Sequence, residues 1–195
     1  MNRLTVVVLA FALAVPALAE DVAEPKSGVK FAVKDRDMTL LGVGLRTRTV
    51  MKVKVYAIGL YVGDSALAGP LKGKAGTPEL YRQLVNGDFQ KRIVMKFVRD
   101  VTADQVRDAF RNGLKGAPAK TDAWINYFSE TRSGQEYVIG WTPGVGLETK
   151  VAGVDKPVLN DPALAAAVFG IWLGAKPIQD DIKQDLVARG GAVLK

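Results

Sequence analysis

The segment from residue 40 to residue 64 constrains the fold most strongly, because it is long, apolar and rich in β-branched residues. Sequences of this kind are typical of strands in a half-buried sheet. Gly63 and Asp64 end the run, since both residue types favour turns. The sequence therefore predicts long strands at 38–44 and 48–62, preceded by a short strand at 29–33.

The second long strand, 48–62, carries different residues on its two faces. Successive side chains of a strand point to opposite sides, so residues two apart share a face. One side is apolar and is predicted to face the core, and the other is predicted to be polar or to line a pocket. The first contains Met51, Val53 and Val55, and the second contains Arg48, Lys52, Lys54 and Tyr56.

Helices and further strands follow in blocks. Thr102 and Gln105 form a capping box, and the apolar residues after it recur at the spacing of an amphipathic helix. A Thr-Pro-Gly turn at 142–144 separates two short strands, which is typical of a hairpin. Further helices are predicted at 78–86, 121–128, 162–173 and 180–188, and strands at 90–99, 135–141 and 146–151. This order predicts an α+β domain in which helices cover an antiparallel sheet.

The first 19 residues have the organisation of a cleavable export signal. Arg3 gives a positive start, an apolar core follows, and Ala17-Leu18-Ala19 matches the small residues that signal peptidase accepts. The apolar run is shorter than the roughly 20 residues of a membrane-spanning helix, so export is favoured over a membrane anchor. We expect a signal peptide at 1–19, a polar lead-in at 20–28 and one domain at 29–195, in a bacterial periplasm.

The chain contains no histidine and no cysteine, which removes several kinds of chemistry. Histidine-dependent triads, thiol nucleophiles and thiolate metal sites are excluded, so catalysis would depend on Lys, Tyr, Arg or carboxylates. Gly42-Val43-Gly44 lacks the third glycine of a dinucleotide-binding loop and is interpreted as a strand-end feature. Asp180 and Asp181 are placed at a helix start, where carboxylates interact favourably with the helix dipole. Neither a metal nor a cofactor is predicted.

The net charge is positive, +7 from 27 Lys and Arg against 20 Asp and Glu, and +6 once Arg3 is removed. Such an excess favours acidic partners or simply reflects a solvated surface. The basic residues are dispersed and no aromatic stacking motif accompanies them, so no nucleic-acid partner is predicted. Anionic small molecules and lipid headgroups fit better. We expect a monomer. Peripheral contact with a membrane is one option for its interactions.

Four blocks resemble the chalcone isomerase superfamily in order and spacing. The most specific block is VKVYAIGLYV at 53–62, and the others are GLR at 44–46, MKFVR at 95–99 and AVFGIWLG at 167–174, followed by Pro177. The resemblance implies a chalcone isomerase-like fold, which is an open-faced β-sandwich with helices on one side of an antiparallel sheet. It also implies a ligand cleft between the sheet and the helices.

The plant enzymes of this superfamily carry hydroxyl and amide groups at positions that this chain fills differently. By resemblance, the positions of a threonine, a tyrosine, an asparagine and a serine or threonine are occupied here by Tyr56, Val106, Gly113 and Ile171. Valine, glycine and isoleucine side chains cannot form hydrogen bonds. The resemblance therefore implies a non-catalytic member that does not close the chalcone ring.

Arg46 and Tyr56 resemble instead the pair with which fatty-acid-binding members of the superfamily hold a carboxylate. A guanidinium offers a fork of donors and a phenol adds one more, while apolar residues accept the acyl tail. The predicted lining residues are Phe110, Phe169 and Ile171. Ten residues of straight strand would separate Arg46 from Tyr56 by about 33 Å, so the pair requires a turn or a strong bend. No glycine or proline lies between them, and the alternative is a surface arginine with a packed tyrosine.

Three functions from different classes remain open. The first, which we prefer, is binding of a fatty acid or a similar amphipathic carboxylate by an exported protein without catalytic residues. The second is an isomerase or intramolecular lyase acting on another substrate, with Tyr56 or Lys54 as the acid–base group. The third is a structural or partner-binding periplasmic protein whose cleft is filled by its own side chains.

Overall fold

The computed structural model describes residues 20–116 and 120–195. The predicted signal peptide at 1–19 lies outside the described residues. Among the residues described, none of the helices combines the length and the apolar character needed to cross a membrane.

A single antiparallel sheet organises the molecule, and its strands follow one another in chain order from edge to edge. It is preceded by a separate hairpin of β1 (Asp21–Ala23) and β2 (Lys30–Ala32). The sheet contains β3 (Lys34–Asp35), β4 (Met38–Arg48), β5 (Val53–Gly63), β6 (Lys91–Phe97), β7 (Glu136–Thr142), β8 (Gly146–Val151) and β9 (Val154–Asp155). The pairing of β7 with β8 confirms the predicted hairpin.

Helices cover one face of this sheet, which confirms the predicted α+β class. They are α1 (Asp64–Ala68), α2 (Pro78–Asn86), α3 (Ala103–Gly113), α4 (Thr121–Ile125), α5 (Pro162–Leu173), α6 (Asp180–Asp185) and α7 (Gly190–Val193). The capping box begins α3 as expected, since the Gln105 N–H donates to Thr102 Oγ1 at 3.3 Å and the Thr102 N–H donates to Gln105 Oε1 at 3.2 Å. Helices α4 and α6 end three residues earlier than the sequence predicts, and α1 and α7 have no counterpart in that prediction.

The main core lies between the sheet and the helices and is rich in aromatic rings. Phe110 of α3 packs against Trp124, Phe128 and Trp172, with ring centroids 4.9, 4.4 and 6.3 Å away. Such tilted and edge-to-face contacts add to the stabilisation that apolar burial supplies. All four rings are buried, so these aromatics hold α3, α4 and α5 together.

The opposite face of the sheet is covered by the N-terminal hairpin. Phe31 of β2 is 1% exposed and lies over Gly59 of β5, where an added Cβ would lie 2.7 Å from the Phe31 ring. The Tyr61 hydroxyl donates to the carbonyl oxygen of Ala32 at 2.9 Å. The segment 20–28, expected to be a polar lead-in, therefore contains a strand and forms part of the folded structure, because β1 pairs with the strand that carries Phe31.

The long strand predicted at 48–62 is interrupted by a turn. Residues Thr49 to Lys52 reverse the chain between β4 and β5, and the Lys52 N–H donates to the Thr49 carbonyl oxygen at 3.0 Å. Thr49 and Lys52 have φ angles of 67° and 51°, a region that residues other than glycine rarely occupy. A turn without glycine or proline leaves no signal in the sequence, which is why the prediction ran through it. Met51, expected to face the core, is 86% exposed.

Gly42 lies in the middle of β4 and not at a strand end. A Cβ at this position would lie 2.1 Å from the carbonyl oxygen of Asp185 in α6, so only glycine allows this helix to approach the strand so closely. The close approach brings Gln179, the residue before α6, beside the end of β4.

Lys91 of β6 is buried, and it caps a helix. It is 2% exposed, and its ammonium group donates to three backbone carbonyls at the end of α2. The acceptors are Leu84, Val85 and Gly87, at 2.9, 3.0 and 3.0 Å. Burial lowers the pKa of Lys91 to about 8, and the nearby Asp88 carboxylate opposes this effect.

We predict that Lys91 makes the stability of the protein rise with pH above pH 8. Because its folded-state pKa lies below the unfolded value of 10.5, the unfolded chain binds more protons in this window. The free energy of unfolding, measured by urea denaturation, should increase by about 1 kcal/mol from pH 8 to pH 9. In Lys91→Met this increase should vanish, and the loss of three hydrogen bonds should destabilise the protein by about 2 kcal/mol at neutral pH. Equal pH slopes in the two proteins would contradict the prediction.

Candidate functional site

A cavity of about 870 Å³ opens between the sheet and the helices, at the end where β4 turns into β5. Its volume falls in the range of small-molecule binding sites. Strands β4, β5 and β6 form one wall, and α3, α5 and the segment after α5 form the other. The third function from the sequence would require a cleft filled by the protein's own side chains. This cleft is open instead.

Arg46 and Tyr56 lie directly opposite each other on β4 and β5. Residues opposite each other in an antiparallel pair have Cβ atoms about 5 Å apart on the same face of the sheet. The turn at residues 49–52 therefore removes the separation of about 33 Å that a straight strand would impose. The register shifts beside the pair, so that β5 holds one extra residue, Val55, and both Val55 and Tyr56 line the cavity.

Tyr56 is buried and oriented by a tryptophan. The Trp172 indole N–H donates to the Tyr56 hydroxyl oxygen at 3.1 Å, which leaves the hydroxyl proton of Tyr56 for another acceptor. Burial raises the pKa of Tyr56, and the Trp172 hydrogen bond and the Arg46 charge oppose this only in part. Tyr56 is therefore a neutral phenol, suited to donating a hydrogen bond and not to acting as a base.

Arg46 is half-buried, and its orientation is fixed through one nitrogen. Its Nη1 donates to the Thr47 carbonyl oxygen at 2.8 Å and to Gln179 Oε1 at 3.0 Å. Burial lowers the pKa of Arg46, but an arginine titrates so far above neutral pH that it stays charged. Among the described residues no carboxylate forms an ion pair with Arg46. Its remaining donors can therefore bind an anion.

Gln179 and Trp172 position this pair, and sequence reasoning missed both. Besides accepting from Arg46, Gln179 Oε1 accepts from the Thr47 N–H at 3.0 Å, and Gln179 Nε2 donates to the Leu45 carbonyl oxygen at 3.1 Å. The Arg46 contact spans 133 residues of sequence, so no local pattern indicates it. Only Gln179's place before the acidic helix start could have drawn attention to it.

Positive charge surrounds the cavity, and its interior is apolar. The cationic lining residues are Arg46, Arg48, Arg99, Lys115 and Lys176, and no carboxylate is among the described residues that line it. A cleft with charges of one sign concentrates counter-ions. The apolar lining includes Val55, Phe97, Val106, Phe110 and Ile171. This arrangement suits an amphipathic anion whose apolar part enters the protein.

The other residues singled out from the sequence are distributed differently. Phe110 and Ile171 line the cavity, whereas Phe169 does not. Phe169 lies two residues before Ile171 in α5, so its side chain is turned away from that of Ile171 by about 200°. The Phe169 ring is buried, with its centroid 4.9 Å from the Lys91 ammonium. Lys54, the alternative acid–base group, also lies outside the cavity and donates to the Lys26 carbonyl oxygen on the surface.

Four positions correspond, by the sequence resemblance, to polar residues of the plant enzymes, and all four line this cavity. They are Tyr56, Val106, Gly113 and Ile171. Gly113 and Ile171 are close neighbours, since an added Cβ on the glycine would lie 3.2 Å from Ile171 Cγ1. Apart from the Tyr56 phenol, these side chains bring no hydrogen-bonding group to the cavity.

Comparison with known proteins places the fold. The profile of the chalcone isomerase-like family matches residues 19–188. Chalcone isomerase-like protein 1 of Humulus lupulus is 31% identical, over 77% of this chain and 81% of that protein. Fatty-acid-binding protein 2 of Arabidopsis thaliana is 25% identical over 88% of this chain, which spans about half of that protein (51%). The crystal structure of an Arabidopsis thaliana fatty-acid-binding protein superposes with a TM-score of 0.74 at 21% identity, covering 90% of this chain and 99% of that one.

We predict that Gln179 anchors both Arg46 and the start of α6. Gln179→Ala removes its hydrogen bonds to β4 and should lower the free energy of unfolding by about 1–2 kcal/mol, measured by urea denaturation. The Arg46 side-chain Nε–H signal in NMR spectra should also broaden or move toward the free value. Gln184→Ala, on the exposed side of α6, is the matched control and should change neither quantity. If the two variants behave alike, Gln179 does not hold Arg46.

Proposed function

Because this chain belongs to the chalcone isomerase-like family, we propose that it is a non-catalytic member that binds a fatty acid or a similar amphipathic carboxylate. The observation that carries the proposal is the direct pairing of Arg46 with Tyr56 at the wall of an apolar cavity. The fatty-acid-binding names of two relatives from Arabidopsis thaliana support it.

The carboxylate would lie between the free donors of Arg46 and the hydroxyl proton of Tyr56. Hydrogen bonds between a guanidinium and a carboxylate are charge-assisted and can form in a fork, so they are stronger than neutral ones. The Trp172 indole N–H orients the phenol by donating to its oxygen, and Gln179 Oε1 holds the guanidinium by accepting from Nη1. The acyl chain would then extend along Phe110 and the other apolar residues of the cavity.

Binding without catalysis is supported by what the cavity offers chemically. Val106, Gly113 and Ile171 supply no group that could polarise a carbonyl or position a phenolate. The raised pKa of Tyr56 disfavours its phenolate, so proton abstraction by this residue would be slow near neutral pH. Lys54 lies outside the cavity. Neither of the residues named for the isomerase alternative, Tyr56 and Lys54, is therefore suited to act as its base at this site.

We further propose that the protein works outside the cytoplasm, after removal of residues 1–19. The support is the sequence pattern alone, with Arg3, an apolar run and Ala17-Leu18-Ala19. Expressed with its own N-terminus in a Gram-negative bacterium, the protein should appear in the periplasmic fraction with an intact mass that begins at Glu20. A cytoplasmic protein that retains Met1 would rule out this compartment.

The binding proposal predicts that Arg46 dominates affinity for a carboxylate. Titration of palmitate into the purified protein should show Arg46→Ala binding at least about tenfold more weakly, because a charge-assisted hydrogen bond is lost. Arg46→Lys should fall between the two, since it keeps the charge and loses the fork. Tyr56→Phe should weaken binding by about fivefold, the effect of one neutral hydrogen bond.

Two controls make this test specific for the headgroup. Arg132→Ala removes an exposed arginine that does not line the cavity, so it should bind palmitate as the wild type does. Hexadecanol has the same chain without the charge, so its affinity should not depend on Arg46. Wild-type affinity of Arg46→Ala for palmitate would overturn the proposed site. A native mass spectrum of the purified protein, followed by organic extraction, would identify any lipid that it retains.

A further inference from the structure

Two apolar side chains project into solvent at the tip of the β4–β5 hairpin. Val50 is 100% exposed and Met51 is 86% exposed, more than the other exposed large apolar residues of the described chain. Those are Val145, Val154 and Val158, at 48%, 57% and 47%. Adjacent apolar residues that are held in water lose the stabilisation that burial gives, so the free protein gains nothing from them.

The turn that presents these side chains is conformationally unfavourable. Thr49 has a φ angle of 67°, and a β-branched residue is a rare occupant of that region. Lys52 also has a positive φ, 51°. Glycine would adopt both conformations more easily, yet the chain has none in this turn. Strained backbone and exposed apolar side chains therefore coincide at one point, which is typical of functional segments.

Basic residues surround the tip and continue to the cavity. Arg48 and Lys52 flank the two apolar residues, and both are exposed. Arg48 and Thr49 also line the cavity, together with Arg99, Lys115 and Lys176, which are exposed as well. The apolar tip, the basic side chains and the opening of the cavity thus occupy the same end of the molecule.

We propose that this end of the protein docks on an anionic lipid bilayer, with Val50 and Met51 inserted at the membrane interface. Apolar side chains gain free energy by entering the boundary between headgroups and acyl chains, and each nearby Lys or Arg is attracted to anionic lipid phosphates. Docking in this orientation places the cavity opening against the membrane. That a fatty acid passes between bilayer and cavity there rests on the proposed function, whereas docking itself does not.

Vesicle flotation tests the docking directly. The purified protein should float with vesicles of phosphatidylglycerol mixed with phosphatidylcholine, and bind much less to phosphatidylcholine alone. Val50→Ser combined with Met51→Ser should reduce the partition coefficient by about tenfold or more, because two apolar side chains no longer enter the interface. Lys52→Gln should weaken binding to the anionic vesicles only.

The matched control is Val145→Ser combined with Val158→Ser. Strand pairing places the β7–β8 turn, and Val158 beside it, at the end of the sheet opposite to the β4–β5 turn. This variant loses the same kind of exposed apolar surface and should float like the wild type. Equal losses in the two double variants would show that general surface hydrophobicity causes flotation, and would overturn the proposal.

Palmitate affinity, measured without vesicles, separates the two proposals. The Val50→Ser, Met51→Ser variant should keep wild-type affinity, because neither residue lines the cavity. A protein that binds palmitate but does not float, or floats equally with and without the tip residues, would overturn docking and leave the proposed function standing. A protein that floats through its tip but does not bind palmitate would do the reverse. A tip-dependent dimer in sedimentation velocity would assign the surface to a second copy of the chain and overturn docking.

Discussion

The antiparallel register between β4 and β5 is the constraint on which the candidate site depends. It sets Arg46 against Tyr56 on the helix-covered face and Leu45 against Ala57 on the face below the N-terminal hairpin. A slip of one residue would exchange these faces and put Leu45 where the guanidinium lies. The turn at residues 49–52 and the extra residue at Val55 hold the register locally. Geometry that brings two donors to one point therefore arises from backbone pairing and does not require flexible side chains.

Helix α6 also helps to position Arg46, and a glycine in β4 allows that helix to come close enough. Gly42 admits the end of α6 against β4, and this contact brings Gln179 to the end of the strand. The amide of Gln179 then bonds the backbone of β4 and the guanidinium of Arg46 together. Loss of the close contact at Gly42 would thus displace Gln179 and change the orientation of Arg46, although Gly42 and Arg46 share no hydrogen bond. Long arginine side chains lose entropy when they are ordered, and such a brace reduces the loss that remains for ligand binding.

Much of the fold was predictable from the sequence, because its signals are local. The alternation of apolar residues placed β6, and the nearly continuous apolar run from Pro162 to Leu173 placed α5. The capping box placed the start of α3, and the Thr-Pro-Gly turn placed the β7–β8 hairpin. The β4–β5 turn was not predictable, since Thr49 and Lys52 adopt left-handed conformations without the glycine that usually marks them. Arg46 and Tyr56 could be named by resemblance, but their convergence depends on that same hidden turn. The roles of Gln179 and Trp172 depend on contacts across more than a hundred residues, which no local pattern encodes.

The cations at the two ends of the sheet differ in whether their hydrogen-bond donors are satisfied. This difference distinguishes a structural cation from one that can bind a ligand. The Lys91 ammonium is buried, and three backbone carbonyls satisfy all of its donors, so it needs no ligand. Arg92, on the same strand, pairs with Asp35 at 2.5 Å. Around the cavity, by contrast, Arg46 keeps free donors, and the described lining residues include no carboxylate to balance it or its cationic neighbours. Like charges that converge on an apolar cavity repel one another, and an incoming anion relieves that repulsion. The same cavity offers apolar walls to an acyl chain, so its positive charge and its apolar lining both favour an amphipathic anion.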